Sequence, residues 1–78
     1  MMWIDEETNA VLEGIKLYGM QREKWSKTKK AFPEALVYRN AGQIKDRVRT
    51  MARKGMLEGV RQYLSDNFND ANPTTKEN

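Results

Sequence analysis

Val11, Ile15 and Tyr18, with Leu12 beside them, recur at i, i+4 and i+7 near the start of the chain. That period predicts a first helix with one buried stripe. Asp5 is the expected N-cap, Glu6 and Glu7 suit the positive end of the helix, and Gly19 is the expected stop. Trp3, just outside, is expected to fold back over this helix. Gly14 in mid-helix costs about 1 kcal/mol relative to alanine, so the pattern predicts close approach of another element there.

A polar connector, "MQREK", follows. Trp25 precedes Ser26, the expected N-cap of a second helix over "KTKKAF". Trp25, Ala31 and Phe32 are its expected core contacts, with Lys27, Lys29 and Lys30 facing outward. Pro33 limits its length. The loop "PEALVYR" comes next, from which Leu36 or Val37 should tuck back toward the core.

Asn40, with Gln43 three residues on, is close to a capping box and predicts the start of a third helix. At 100° per residue, Ile44, Val48 and Met51 fall on one narrow stripe. Gly42, Lys45, Asp46, Arg49 and Arg53 cluster opposite, so the helix should pack through the first set and present the second. Gly55 is expected to end or kink it. Beyond lies "MLEGVRQYLSDNF", with Leu57, Val60, Leu64 and Phe68 at i, i+3, i+7 and i+11, which predicts a fourth amphipathic helix. The tail "NDANPTTKEN" has the composition of disorder. The domain reading is a three-helix unit over 1–54, an additional helix over 55–69 packed on or adjoining it, and a disordered tail over 70–78.

Composition narrows the chemistry. Seventy-eight residues with a mean hydropathy of −0.88 suit one thinly cored module. With no cysteine and no histidine, the chain lacks thiolate or imidazole metal ligands and the commonest acid–base catalyst. Pairs such as Glu6/Glu7 sit at a helix start with no convergent partner, so no enzyme and no cofactor are expected. No apolar run approaches the roughly 20 residues of a membrane span. The acidic opening "MMWIDEETN" differs from a signal peptide's basic n-region, and no membrane partner is expected.

Charge changes the picture more. Of the 14 Lys and Arg residues, 11 lie between Arg22 and Lys54, opposed there only by Glu23, Glu34 and Asp46, so that stretch carries +8 against a net +3 for the chain. A concentrated basic centre favours a polyanionic partner.

Taken together, Trp3, "WIDEE", "LEGIKLYG" followed by "KWSK", and the basic third helix resemble a Myb/SANT repeat over roughly Trp3 to Arg53. The more specific match is "RNAGQIKDRVRTM", which is similar to the telobox form of the third helix in proteins that bind double-stranded telomeric repeats. There the pattern runs Arg-Thr, a hydrophobic residue, then Leu-Lys-Asp-Lys/Arg-Trp-Arg-Asn/Thr-Met. The resemblance implies an all-α, three-helix, homeodomain-like helix-turn-helix bundle, here with an additional C-terminal helix. It also implies sequence-specific binding of double-stranded DNA in the nucleus, at chromosome ends.

Carried over by position, Ile44 matches the family's core leucine, and Lys45, Asp46 and Arg49 match residues that reach DNA. Ala41 and Gly42 sit where the family sets side chains against base edges. Arg39 matches the arginine before the helix, and Trp25 and Lys27 match a "WSK" group that meets the phosphate backbone; Arg53, on the same outward face, is expected at the backbone too. Two positions depart from the pattern. Val48 replaces a tryptophan, and Gly42 replaces a hydrophobic residue, usually valine, that meets the thymine methyl.

Independently of the resemblance, an α-helix fits the major groove, and Arg49 at mid-face could bond guanine O6 and N7 together. Asp46 weakens general attraction to phosphates yet can accept from cytosine N4; alternatively it pairs with Arg49 or Arg53. The aromatic set Trp3, Tyr18, Trp25 and Phe32 reads as core rather than as a base-stacking platform. The competing function is a Myb/SANT protein-interaction domain that scaffolds telomere or chromatin proteins without DNA contact, and the apolar stripe of the fourth segment speaks for it. One such repeat makes few base contacts, so a second copy or a dimerising region elsewhere is expected to add affinity.

Overall fold

A computed structural model describes residues 2–65, and the readings on Phe68 and the tail lie outside the described residues. Three α-helices form: α1 (Asp5–Tyr18), α2 (Lys24–Ala31) and α3 (Ala41–Arg53), followed by a 3-10 helix at Arg61–Tyr63. No strand occurs among the described residues. The fold is all-α, as the periodicities require.

Of the expected α1 stripe, Val11 and Ile15 are fully buried, while Tyr18 is only partly covered. Its N-cap is Ile4 rather than Asp5. Isoleucine offers no acceptor, so only half of a capping box exists: the Ile4 amide donates to Glu7 Oε1 at 3.1 Å. Asp5, Glu6 and Glu7 all fall in the first turn, where the helix dipole favours acids.

Helix α2 starts two residues before the expected cap. Ser26 lies inside it, Trp25 is its second residue, and Glu23 takes the N-cap position without a side-chain cap. Its buried positions are Lys24 and Thr28, one turn apart, with Trp25 and Phe32 half-buried against the core. Ala31, expected in the core, is exposed. The phase is set by contact with α1. A β-carbon on Gly14 would lie 2.8 Å from Thr28 Cβ, so α1 and α2 meet backbone against side chain. The Thr28 hydroxyl donates to the Lys24 carbonyl at 2.7 Å. After α2, Leu36 is the loop residue that enters the core, while Val37 and Tyr38 stay exposed.

Helix α3 obeys its sequence closely. Asn40 Oδ1 accepts from the Gln43 amide at 2.8 Å, and Gln43 Oε1 accepts from the Asn40 amide at 2.9 Å. Ile44, Val48 and Met51 are fully buried. At the far end Gly55 adopts φ 73°, the Met56 amide donates to Met51 O at 2.9 Å, and the Gly55 amide donates to Ala52 O at 3.2 Å. This pairing is the Schellman stop, which needs a residue free to turn left-handed.

The expected fourth amphipathic helix does not form in its described part, 55–65. Successive turns carry the chain instead, with Val60 N bonded to Leu57 O, Tyr63 N to Val60 O and Leu64 N to Arg61 O. Leu57, Val60 and Leu64 are buried all the same. Tight i→i+3 turns bring residues three apart onto one side, so the spacing that suggested an α-helix is satisfied by 3-10-type geometry. The segment closes on α1: the Ser65 amide donates to Gly19 O at 3.0 Å, and the Tyr63 carbonyl carbon lies 2.9 Å from where a Gly19 β-carbon would be.

Gly14→Ala should therefore destabilise the fold by about 1–3 kcal/mol despite alanine's better helix propensity. Thr28→Ala in the same chain should recover part of that loss, as urea unfolding of the two single variants and the double variant would show.

Candidate nucleic-acid interface

The outward side of α3 carries Gly42, Asp46 and Arg53, all exposed, and Lys45 and Arg49, both half-buried. The structure thus brings five of the sequence-selected residues onto one face. Ala41 sits at the edge of that face and is partly covered. At Gly42 a β-carbon would meet only Asn40 Oδ1, at an ordinary 3.4 Å, so nothing within the fold demands a glycine there.

Asp46 Oδ1 lies 3.6 Å from Arg49 Nη1, across one turn of helix, and the Asp46 side chain is 76 % exposed. The alternative of a local ion pair is therefore realised, but weakly. An exposed pair at this length is worth at most about 1 kcal/mol, so both groups can be redirected at little cost. Thr50, one turn on from Asp46, turns its hydroxyl back to the Asp46 carbonyl at 3.2 Å.

The α2 residues flank this face. Trp25 lies half-buried on the core with the Lys24 ammonium 5.8 Å from its ring centre, and Lys27 is exposed with its ammonium hydrogen-bonded to Gln21 Oε1. Lys29 is spent on the loop, where it donates to Leu36 O and, at 3.3 Å, to Val37 O. Lys29 thus holds in place the turn that leads into α3.

Arg39 does not join the surface. It is 5 % exposed, and its guanidinium meets the Glu7 carboxylate through Nε–Oε2 at 2.9 Å and Nη2–Oε1 at 3.0 Å. Nη2 also donates to Met2 O at 2.7 Å, and the guanidinium carbon lies 4.2 Å from the centre of the Trp3 ring. This arginine is buried and engaged inside the protein, so the backbone role expected of it gives way to a structural one. Two carboxylate bonds, one carbonyl and one aromatic face outcompete what a single solvent-facing phosphate would offer.

Arg47 supports the same cluster, with Nη2 donating to Thr8 Oγ1 at 3.3 Å and its guanidinium carbon 5.6 Å from the Trp3 ring centre. Trp3, Arg39, Gln43, Asp46, Arg47 and Thr50 line an open hollow of about 280 Å³ where the N-terminal segment crosses α3. The arrangement fits recognition by shape and charge. Among the described residues no group of His, Cys, Asp and Glu side chains could hold a metal ion.

Sequence reasoning missed the burial of Glu7 and of Lys24. Glu7 was legible, since it extends the Val11/Ile15 stripe back by four residues. An acid in a buried register requires a base. Lys24 carried no such signal, because it sits among exposed lysines of the same composition.

The Arg39 hydrogen bond holds the Glu7 carboxyl below the ordinary carboxylate range, burial opposes it, and the Ile4 amide lowers it further. A carboxyl with a depressed pKa in the folded state stabilises above its unfolded value of about 4.3, and that contribution is lost as pH falls through the folded value. Stability should accordingly drop in acid below about pH 4, and Glu7→Gln should flatten that part of the profile of unfolding free energy against pH. Arg39→Ala should cost about 3–5 kcal/mol by leaving the buried carboxylate unpaired. If Arg39→Ala lowered duplex affinity while stability stayed unchanged, the structural assignment of this residue would be wrong. Comparison with known proteins finds no matching family model, no matching curated protein and no matching solved structure.

Proposed function

We propose that this chain is a double-stranded DNA-binding module of the Myb/telobox kind, which lays α3 in the major groove, reads base edges with it, and acts on telomere-like repeats in the nucleus. The observation that carries this reading is the division of α3. One side is wholly committed to the core through Ile44, Val48 and Met51. The other presents Lys45, Asp46, Arg49 and Arg53 around Gly42, with no structural duty beyond one long ion pair.

Within this reading Arg49 and Asp46 separate as the groove is entered: the guanidinium turns to guanine O6 and N7, and the carboxylate to cytosine N4. Lys45 reaches the same groove, with Ala41 and Gly42 at its edge. Lys27 leaves Gln21 for a backbone phosphate, Trp25 contributes from the same turn, and Arg53 meets the backbone at the other end of α3. Gly42 admits the helix backbone closely but supplies no methyl contact, so thymine discrimination at that position falls to its neighbours.

The rival reading, a protein-docking domain, drew on the apolar stripe of the fourth segment. Leu57, Val60 and Leu64 are buried within the fold, which leaves that stripe no outward face among the described residues.

Arg49→Ala should lower affinity for a cognate repeat by about 1–3 kcal/mol and narrow the gap to a scrambled duplex. Lys27→Ala should weaken both duplexes alike and reduce the salt slope by about one. The decisive measurement is an NMR titration of the chain with a telomere-repeat duplex and its scrambled control. Amide shifts confined to Ala41–Arg53 and the first turn of α2, larger with the repeat, are expected. Absence of shifts with either duplex would remove the DNA reading and leave protein docking.

A further inference from the structure

Arg47 is the less satisfied of the two arginines around Trp3. Among the described residues its one hydrogen bond runs from Nη2 to Thr8 Oγ1 at a long 3.3 Å, and no carboxylate lies within ion-pair distance. Its Nε is buried and has no partner. The Trp3 ring centre, 5.6 Å from the guanidinium carbon, is near the outer limit of a cation–π contact. Arg39, by contrast, meets the same ring at 4.2 Å and gives Nε and Nη2 to Glu7 and Met2. A guanidinium carries several N–H donors in a fixed fork, so Arg47 is held with most of its bonding capacity unused.

Both arginines line the open hollow of about 280 Å³ beside α3. Nη1 is the one nitrogen of Arg39 that neither Glu7 nor Met2 engages. Gln43, also in the lining, uses Oε1 on the Asn40 amide, which leaves its side-chain amide nitrogen as a further donor. The one acid of the lining, Asp46, is 76 % exposed and lies 3.6 Å from Arg49. Uncommitted donors thus outweigh acceptors in the hollow. A site of this make-up suits an oxyanion, since a planar guanidinium matches two oxygens of one phosphate or carboxylate.

We infer that this hollow is an oxyanion site with Arg47 as its principal ligand, and that it takes a backbone phosphate of bound duplex. The inference rests on the duplex-binding reading above and names a ligand which that reading does not use. On a helical wheel Gln43, Arg47 and Thr50 lie along one flank of the outward side of α3, and Ala41 and Lys45 along the other. A duplex seated on that side carries its backbone along the flanks, where phosphate contacts fix register. Duplex is favoured over an acidic peptide because the hollow shares Asp46 with the face that bears Arg49 and Arg53. The long Thr8 bond is given up at little cost when the phosphate arrives. The competing account is that Arg47 only backs the Trp3 ring with its stem and charge.

Arg47→Met keeps a stem against Trp3 and removes every donor, so it separates the two accounts. With the site, cognate and scrambled duplexes should both bind roughly five- to tenfold more weakly, and the salt slope should fall by about one. The melting temperature should hold or rise, because a buried donor without a partner has gone. Arg47→Lys should recover part of the affinity. Unchanged affinity and slope in Arg47→Met would overturn the inference and leave Arg47 as support for Trp3. A loss confined to the cognate duplex would overturn it as well, since a displaced α3 would then be the cause. Loss of folding in both Arg47→Met and Arg47→Lys would also overturn it, because the guanidinium would then be serving the fold.

Should the wild-type chain bind neither duplex, the DNA reading fails on its own, and pyrophosphate and a short polyglutamate peptide become the probes. A shift of the Trp3 indole N–H resonance with pyrophosphate, lost in Arg47→Met, would keep the oxyanion site. A shift with the peptide alone would overturn the phosphate assignment and give the hollow to an acidic partner. No shift with either would overturn the site altogether.

Discussion

The buried ion pair between Glu7 and Arg39 is the contact on which the arrangement of the helices turns. Glu7 belongs to the first turn of α1, and Arg39 directly precedes the cap of α3. Their two hydrogen bonds, with Trp3 stacked on the guanidinium, fasten the start of one helix to the start of another across 32 residues of sequence. A buried pair of this kind adds little net stability over a hydrophobic substitute, because desolvation offsets most of the attraction. Its contribution is directional: only one placement of α3 lets both carboxylate oxygens and the Met2 carbonyl be satisfied together. The outward face of α3 inherits its orientation from that requirement.

Around this clamp the core is thin and each helix contributes differently. Helices α1 and α3 supply aliphatic stripes, whereas α2 offers Thr28, the Lys24 stem and the edges of Trp25 and Phe32. Such a helix has too little apolar surface to dock by burial alone. Gly14 compensates by letting α2 come close, and Lys29 ties the following turn through two carbonyls. The terminal turns finish the enclosure with Leu57, Val60 and Leu64, and seal it where Tyr63 passes over Gly19. The basic face is thereby carried on a helix held from both ends, by the Asn40/Gln43 box at one and the Gly55 stop at the other. Rigid presentation matters for any reading of base edges, where misplacement by a fraction of a bond length weakens a paired hydrogen bond.

The positive charges divide into three groups with different physical duties. Arg39, Arg47 and Lys29 work inside the protein, on a carboxylate, an aromatic ring, a hydroxyl and backbone carbonyls. Lys45, Arg49, Arg53 and Lys27 are available to a partner. Lys24 stands apart from both, buried like the first group but without an ion pair or side-chain acceptor among the described residues. Counting bases along the chain cannot make this division, because the same side chain serves either purpose according to what lies opposite it. The accumulation of +8 between Arg22 and Lys54 overstated the free charge for that reason.

Local rules settled the helical nature of the chain, the stripe of α1, and both ends of α3. Each depends on residues within one or two turns of each other: a 3.6-residue period, a reciprocal cap, a glycine free to turn left-handed. Local rules also separated the buried and outward sides of α3, since Ile44, Val48 and Met51 leave no other phase. They failed where contacts span the chain. The register of α2 follows Gly14 meeting Thr28, not the capping preference of Ser26. The last segment takes 3-10 turns because it must return to Gly19, which periodicity cannot express. Arg39 left the surface because Glu7 and Trp3, remote in sequence, converge on it. Tertiary structure alone decided which charges are enclosed and which are offered, since burial and pairing belong to neighbours in space.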